Sequence, residues 1–179
     1  MWQDELSMHD NDHNSVFLNW LEQHSSSVMK VARAYTLTSE DTQDLAQEIL
    51  LQSWRSLPRF AGNSSIATWF YRVALHTAMN WHRKDKPRRS KQKPLLEIQA
   101  LSEDSSKEQI QQRETIEHLY KAIHQLPKAD VALVLLHLEE LSYREIAEVL
   151  GITENNVGVK LNRARKALGQ LMKEDSNGS

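Results

Sequence analysis

"LSYREIAEVLGITENNVGVKLNRARKAL", residues 141–168, carries enough local punctuation to fix its own shape. Ser142 followed by Glu145 is the capping box of a helix start, in which the hydroxyl meets a first-turn backbone N–H and the carboxylate reaches back to the cap. Ile146, Ala147 and Leu150 make that helix's inner face, and Gly151 supplies the tight turn that ends it. Thr153 then caps a second helix, where Val157, Leu161, Ala164 and Leu168 recur at helical spacing and form the buried stripe. The outer face is left with Asn155, Val159, Asn162, Arg163 and Lys166, and residues 155–173 contain no acid. Two short helices joined by a Gly-containing turn, the second basic and amide-rich outside, describe a helix-turn-helix whose second helix enters the major groove of DNA. An ordinary helical hairpin with a solvated basic face would need the small Ala147, the turn Gly151 and the acid-free second helix to coincide without cause.

Outward from this stretch the chain reads as helix almost throughout. Its 179 residues include only five Gly and four Pro, and apolar residues recur at helical rather than alternating spacing. Helices are expected over 15–36, 40–56, 65–84, 107–125, 128–139, 143–150 and 154–172, an all-α chain. "KDKPRRSKQKPLLEIQALSEDSSK" holds two prolines and flips from basic to acidic, so residues 86–108 are expected to link two small helical domains, 15–85 and 109–172. Residues 1–14 and 173–179 are expected to be a disordered N-terminal tail and a frayed C-terminal one. With 40% apolar residues the chain should fold. It has no cysteine, hence no disulfide or thiolate site, and no apolar run of bilayer-spanning length. The acidic start, "MWQDELSMHDNDHN", is no secretory leader. A soluble cytoplasmic protein without membrane insertion is expected.

The net charge of -2 conceals segregation. Residues 1–50 hold nine acids against Lys30 and Arg33, whereas residues 72–93 hold eight bases against Asp85. Two basic blocks, this one and 155–173, suggest two contacts with a polyanion, the acidic front facing other protein.

The first basic block grows out of "SSIATWFYRVALHTAMNWHRK". Ile66, Trp69, Phe70, Val73, Thr77 and Trp81 follow helical spacing and are expected in the core. The opposite face reads Thr68, Tyr71, Arg72, Leu75, His76, Met79, Asn80 and Arg83, a mixture of cations, amide and flat rings suited to holding an unpaired strand by phosphates and bases. Before it, "RFAGNSS" is a small-residue loop able to receive a base pulled from the stack.

Two long stretches bear a resemblance. "EDTQDLAQEILLQSWRSLPRFAGNSSIATWFYRVALHTAMNWHRK" resembles region two, and "AIHQLPKADVALVLLHLEELSYREIAEVLGITENNVGVKLNRARKAL" region four, of the extracytoplasmic-function sigma factors of bacterial RNA polymerase. The likeness covers roughly residues 15–85 and 110–172, in the right order across a linker. It implies a non-enzymatic subunit without cofactor, metal or catalytic residue, bound to core RNA polymerase and held in check by an anti-sigma factor. It implies that Asp41, Asp44, Gln47 and Glu48 meet the polymerase. Phe60, Gly62, Asn63, Ser64 and Ser65 would form the base-capture loop for the melted minus-ten non-template strand. Trp69, Tyr71, Arg72, His76, Asn80 and Arg83 would line the melting helix. The duplex minus-thirty-five element would fall to Asn155, Asn156, Gly158, Val159, Lys160, Asn162, Arg163 and Lys166.

The chain departs from the family at the recognition helix, where a Thr-Val-Lys/Arg-Ser-Arg run is replaced by Asn156, Val157, Gly158, Val159 and Lys160. The minus-thirty-five sequence therefore cannot be carried over from other members. A helix-turn-helix repressor would explain residues 142–172 but leave the 60–83 constellation idle, and a small hydrolase would need histidines gathered on facing helices, which the spacing does not support. His9, Asp10, Asp12 and His13 offer metal-ligand chemistry only in a polar terminal stretch without a scaffold.

Overall fold

The computed structural model describes residues 2–84 and 106–177. Among these it is wholly helical. α1 (Trp2–Tyr35), α2 (Ser39–Ser56), a 3₁₀ turn (Leu57–Arg59) and α3 (Ile66–Lys84) make a front bundle, and α4 (Lys107–Gln125), α5 (Lys128–Leu138), α6 (Tyr143–Leu150) and α7 (Glu154–Asn177) make a rear one. The expected helices are all present. The linker reading lies, up to residue 105, outside the described residues, and Lys107 and Glu108 already belong to α4.

The termini differ from expectation. α1 starts at Trp2 instead of residue 15, because nothing in 2–14 breaks a helix: that stretch has neither Gly nor Pro. α7 likewise runs through the expected tail to Asn177.

Local chemistry sets the other ends. Thr38, extended at φ -120 and ψ 154, accepts the Asp41 N–H, and Glu40 and Asp41 place negative charge at the positive end of α2. Ser65 Oγ accepts the Thr68 N–H at 3.1 Å and starts α3. Both Ser106 with Gln109 and Ser142 with Glu145 close full capping boxes. Gly151, at φ 67, ends α6 in the left-handed turn that a Cβ disfavours.

The front core is built by Trp20, Val28, Val31, Tyr35, Leu45, Ile49, Phe70 and Ala74, with Trp20 and Phe70 meeting edge to face at 4.2 Å between centroids. In the rear, Val157, Leu161 and Ala164 of α7 close over Ile146, Ala147 and Val149 of α6, with Leu150 only partly buried. α5 explains how the bundles join. Its residues from Val131 to Leu136 are all buried, and a helix apolar all round needs neighbours on every side. It finds α7 on one side and α1 and α3 on the other, so one hydrophobic core runs through both bundles.

Candidate nucleic-acid interface

α7 carries the first group of expected DNA-facing residues. Asn155, Asn156, Lys160, Asn162, Arg163 and Lys166 are exposed, and the Val159 side chain stands 65% exposed between them. Thr153 accepts the Asn156 N–H at 3.3 Å, fixing the start of the helix. Arg163 lies 3.6 Å from the nearly buried Asp130 carboxylate of α5, so one edge of its guanidinium is anchored while the side chain stays largely in solvent. Gly158 is half-covered by the Tyr143 ring: a Cβ built there would come 3.4 Å from Tyr143 Cε2. The glycine thus marks where α6 lays an aromatic ring on the recognition helix. The ring itself remains exposed.

α3 and the loop before it carry the second group. Gly62, at φ 72, turns a loop in which Asn63 is exposed, while the Ser65 hydroxyl is committed to Thr68. Phe60 and Trp69 are half-buried with ring centroids 5.3 Å apart. Along the helix, the Asn80 amide lies 3.2 Å from the His76 ring, and Arg83 donates to Asn80 Oδ1 at 3.2 Å, a polar ladder at the surface.

The expected division of α3 into a core face and a wet face requires correction. Thr68, Tyr71 and Leu75, expected outside, are buried, Tyr71 to 4% exposure, whereas Ile66, expected in the core, is 41% exposed. Trp69, Val73 and Trp81 are half-buried. The cause is a second neighbour: α3 packs on α1 and α2 with one side and on α5 and α6 with another, leaving in water, besides Ile66 at its start and Met79, the strip from Arg72 through His76 to Arg83.

On α2, Asp44 and Gln47 are exposed. Glu48 is half-buried and accepts the Gln52 amide at 2.7 Å. Asp41 Oδ2 is buried without a hydrogen-bond partner beside the helix start.

A polar cluster that the sequence does not signal sits between the bundles. Glu139, at the end of α5, accepts from Ser27 Oγ at 2.6 Å and from the Tyr71 hydroxyl at 2.7 Å, and pairs with Lys30. Burial works to raise its carboxyl pKa, but the bonds from Lys30, Ser27 and Tyr71 outweigh it and hold the group below the usual carboxylate range. Burial pushes the Tyr71 phenol well up, so it stays a proton donor to that carboxylate. Burial also lowers His24, against the opposing pull of Glu139. Nearby, Arg33 pairs with Glu117 and lies 4.2 Å over the Tyr120 ring, and His124 Nε2 donates to the Arg33 carbonyl at 2.8 Å. Arg72 donates to the Glu148 carbonyl at 2.7 Å, placing a cation on the C-terminal turn of α6.

Among the described residues no cluster of three His, Cys, Asp or Glu could hold a metal, and no helix is long and apolar enough to cross a membrane. The side chains of His9, Asp10, Asp12 and His13 lie outside the described residues.

Two helical bundles, the rear one ending in a helix-turn-helix with an exposed basic face, define a helical DNA-binding protein. Residues 20–88 match the model of sigma-70 region 2, and residues 116–168 that of sigma-70 region 4. The RNA polymerase sigma factor YlaC of Bacillus subtilis is 34% identical over 138 residues, spanning 74% of this chain and 78% of that one. The ECF RNA polymerase sigma-E factor of Escherichia coli is 31% identical over 140 residues, 73% of each chain. Among solved structures, the sigma factor RpoE of Bartonella quintana in complex with the anti-sigma factor NepR superposes with TM-score 0.67 at 18% identity, over 88% of this chain and 96% of that one. CnrH in complex with the cytosolic domain of CnrY gives 0.63 at 18% identity, over 90% of each. The chain belongs to the sigma-70 family, in its extracytoplasmic-function group, and its function is that of a sigma factor in transcription initiation.

Proposed function

We propose that this chain binds core RNA polymerase through the acidic face of α2, reads a duplex minus-thirty-five element with α7, and captures the melted minus-ten non-template strand with α3 and the loop before it. The observation that carries the reading is the exposed, acid-free outer face of α7 over Asn155–Lys166, on a helix packed against α5 and α6. Arg163 and Lys166 meet phosphates, and Asn155, Val159 and Asn162 lie nearer base edges. On α3 the His76–Asn80–Arg83 ladder offers the strand donors and a flat ring. Residues 15–85 act as the polymerase- and minus-ten-binding domain and 109–172 as the minus-thirty-five domain. The protein works in the cytoplasm. The complexes in which RpoE and CnrH are known support an anti-sigma partner for this chain as well.

The test is transcription by core polymerase with and without this protein on a library of genomic promoter fragments. New start sites sharing two upstream elements are the expected result. No dependence on the added chain overturns the reading. Within it, reversing Asp44 and Glu48 to Lys weakens core binding while leaving helix content nearly intact, because the Asp44 charge is exposed and Glu48, half-buried, gives up only its bond from the Gln52 amide.

A further inference from the structure

We infer that Val159 of α7 reads the C5-methyl group of a thymine in the major groove, so that the duplex element this chain recognises carries an A·T pair at a place where no side chain makes a hydrogen bond to it. The inference rests on the reading of α7 as the helix that enters duplex DNA, and it adds to that reading the base and the group recognised.

The outer face of α7 has a gap in its hydrogen-bonding capacity. Asn155, Val159, Asn162 and Lys166 recur at alternating four- and three-residue steps and lie in one line along the helix. Amides and cations stand at both ends of that line, Asn155 and Asn156 before, Asn162, Arg163 and Lys166 after, all exposed. Between them Val157 is buried, Gly158 has no side chain, and Val159 offers neither donor nor acceptor. At about 1.5 Å per residue, Val159 lies about 6 Å along the helix from Asn155 and about 4.5 Å from Asn162, within about two base steps of each at about 3.4 Å per step. A duplex that satisfies both amides is therefore pressed against the valine.

Nothing inside the chain accounts for this valine. At 65% it is the most exposed large apolar side chain among the described residues, and it is not part of the core. A branched side chain is also a poorer helix former than the alanine or lysine that would serve a merely wet position. The branching does suit contact, because it holds valine in a helix near one χ1 rotamer and fixes its methyl groups before a partner arrives. The neighbouring position extends the apolar surface. The Tyr143 ring lies over Gly158, its Cε2 3.4 Å and its Cδ2 3.9 Å from where a Cβ would stand, and 44% of that residue is exposed. Beside Val159 the helix thus presents ring carbon instead of a polar side chain.

Of the groups that base pairs display in the major groove, only the thymine methyl is apolar. Adenine or guanine in its place would press an N7 acceptor, and cytosine an amino donor, against a surface that cannot bond them, and each would give up water without compensation.

The test removes the methyl group alone. A pool of random duplexes is enriched on core RNA polymerase assembled with the full chain, against core polymerase by itself, and each thymine of the enriched upstream element is then replaced singly by deoxyuridine. One replacement is expected to weaken binding about three- to fivefold, the weight of one buried methyl group. In Val159→Ser, a change at a side chain too exposed to threaten folding, the same replacement is expected to have no effect, while base changes elsewhere in the element keep theirs. An element without thymine, a parent indifferent to deoxyuridine at every thymine, or a Val159→Ser chain that keeps the full penalty overturns the methyl reading and leaves duplex recognition by α7 standing. A chain that enriches no sequence overturns that duplex recognition, and the methyl reading with it.

Discussion

α3 and α7 are both amphipathic helices with cations and amides opposite an apolar stripe, yet α7 leaves Asn155, Val159, Asn162 and Lys166 in solvent while α3 buries Thr68, Tyr71 and Leu75. α7 has all its neighbours on one side, so its apolar stripe and its buried face coincide. α3 is gripped from two sides, and the second grip falls on residues that look wet by spacing. Tyr71 shows how this works chemically: its ring supplies apolar surface to the seam, and its hydroxyl finds the Glu139 carboxylate that makes burial affordable. The difference teaches that helical periodicity reports the first packing partner of a helix and is silent about a weaker second one.

The comparison can be broken most forcefully at the α3 side facing α1. Phe70 is fully buried against Trp20 and His24, so Phe70→Ala should cost about 3 to 5 kcal/mol. Urea denaturation measures it. A loss below about 1 kcal/mol would mean that the front bundle is not held from this face.

Acid sharpens it from the other side. Glu139 faces Lys30 and Ser27 of α1 and Tyr71 of α3, with His24 nearby. Its folded pKa lies below the ordinary 4.5 and that of His24 below the ordinary 6.5. A depressed pKa contributes stability above the unfolded value and loses it as pH falls through the folded one. Folding stability is therefore lost on acidification in the same direction from both groups, through His24 as pH falls below about 6.5 and through Glu139 as it falls below about 4.5. Urea denaturation across that range should show the loss, and Glu139→Gln should remove its lower part.

At α7 the expected effects are on binding. Arg163→Ala should weaken attachment to all upstream elements alike and flatten the slope of log affinity against log salt by about one unit. A loss confined to one base position would make Arg163 a base reader. The smallest effect is expected at Gly158, where a Cβ would meet Tyr143 Cε2 at 3.4 Å, an ordinary contact. Gly158→Ala should therefore stabilise the rear bundle, by up to about 1 kcal/mol from helix propensity. Destabilisation in a thermal melt would show that the ring needs the empty space.

Residues 142–164 were legible almost to the residue, because capping boxes, the αL glycine and a stripe of small and branched apolar side chains act within a few turns of one another. The candidate DNA face of α7 followed from the same stripe by exclusion. On α3 the same procedure found Phe70 but misplaced Tyr71, Thr68, Leu75 and Ile66, since a phenol or a threonine is compatible with either water or a polar seam. α1 was read as starting too late because a polar, acid-rich stretch gives no apolar period, although nothing in it stops a helix.

The sequence by itself determined the helices, their caps, the helix-turn-helix and the segregation of charge, since each depends on interactions between residues close along the chain. Only the tertiary structure decided that the two bundles share one core, that Arg72 sits on the end of α6, and that Glu139 gathers Ser27, Lys30 and Tyr71. Ser27 and Glu139 are separated by 112 positions. A glutamate at a helix end has no local partner that betrays such a role, and its chemistry appears only where burial lowers the dielectric and three donors converge on one carboxylate.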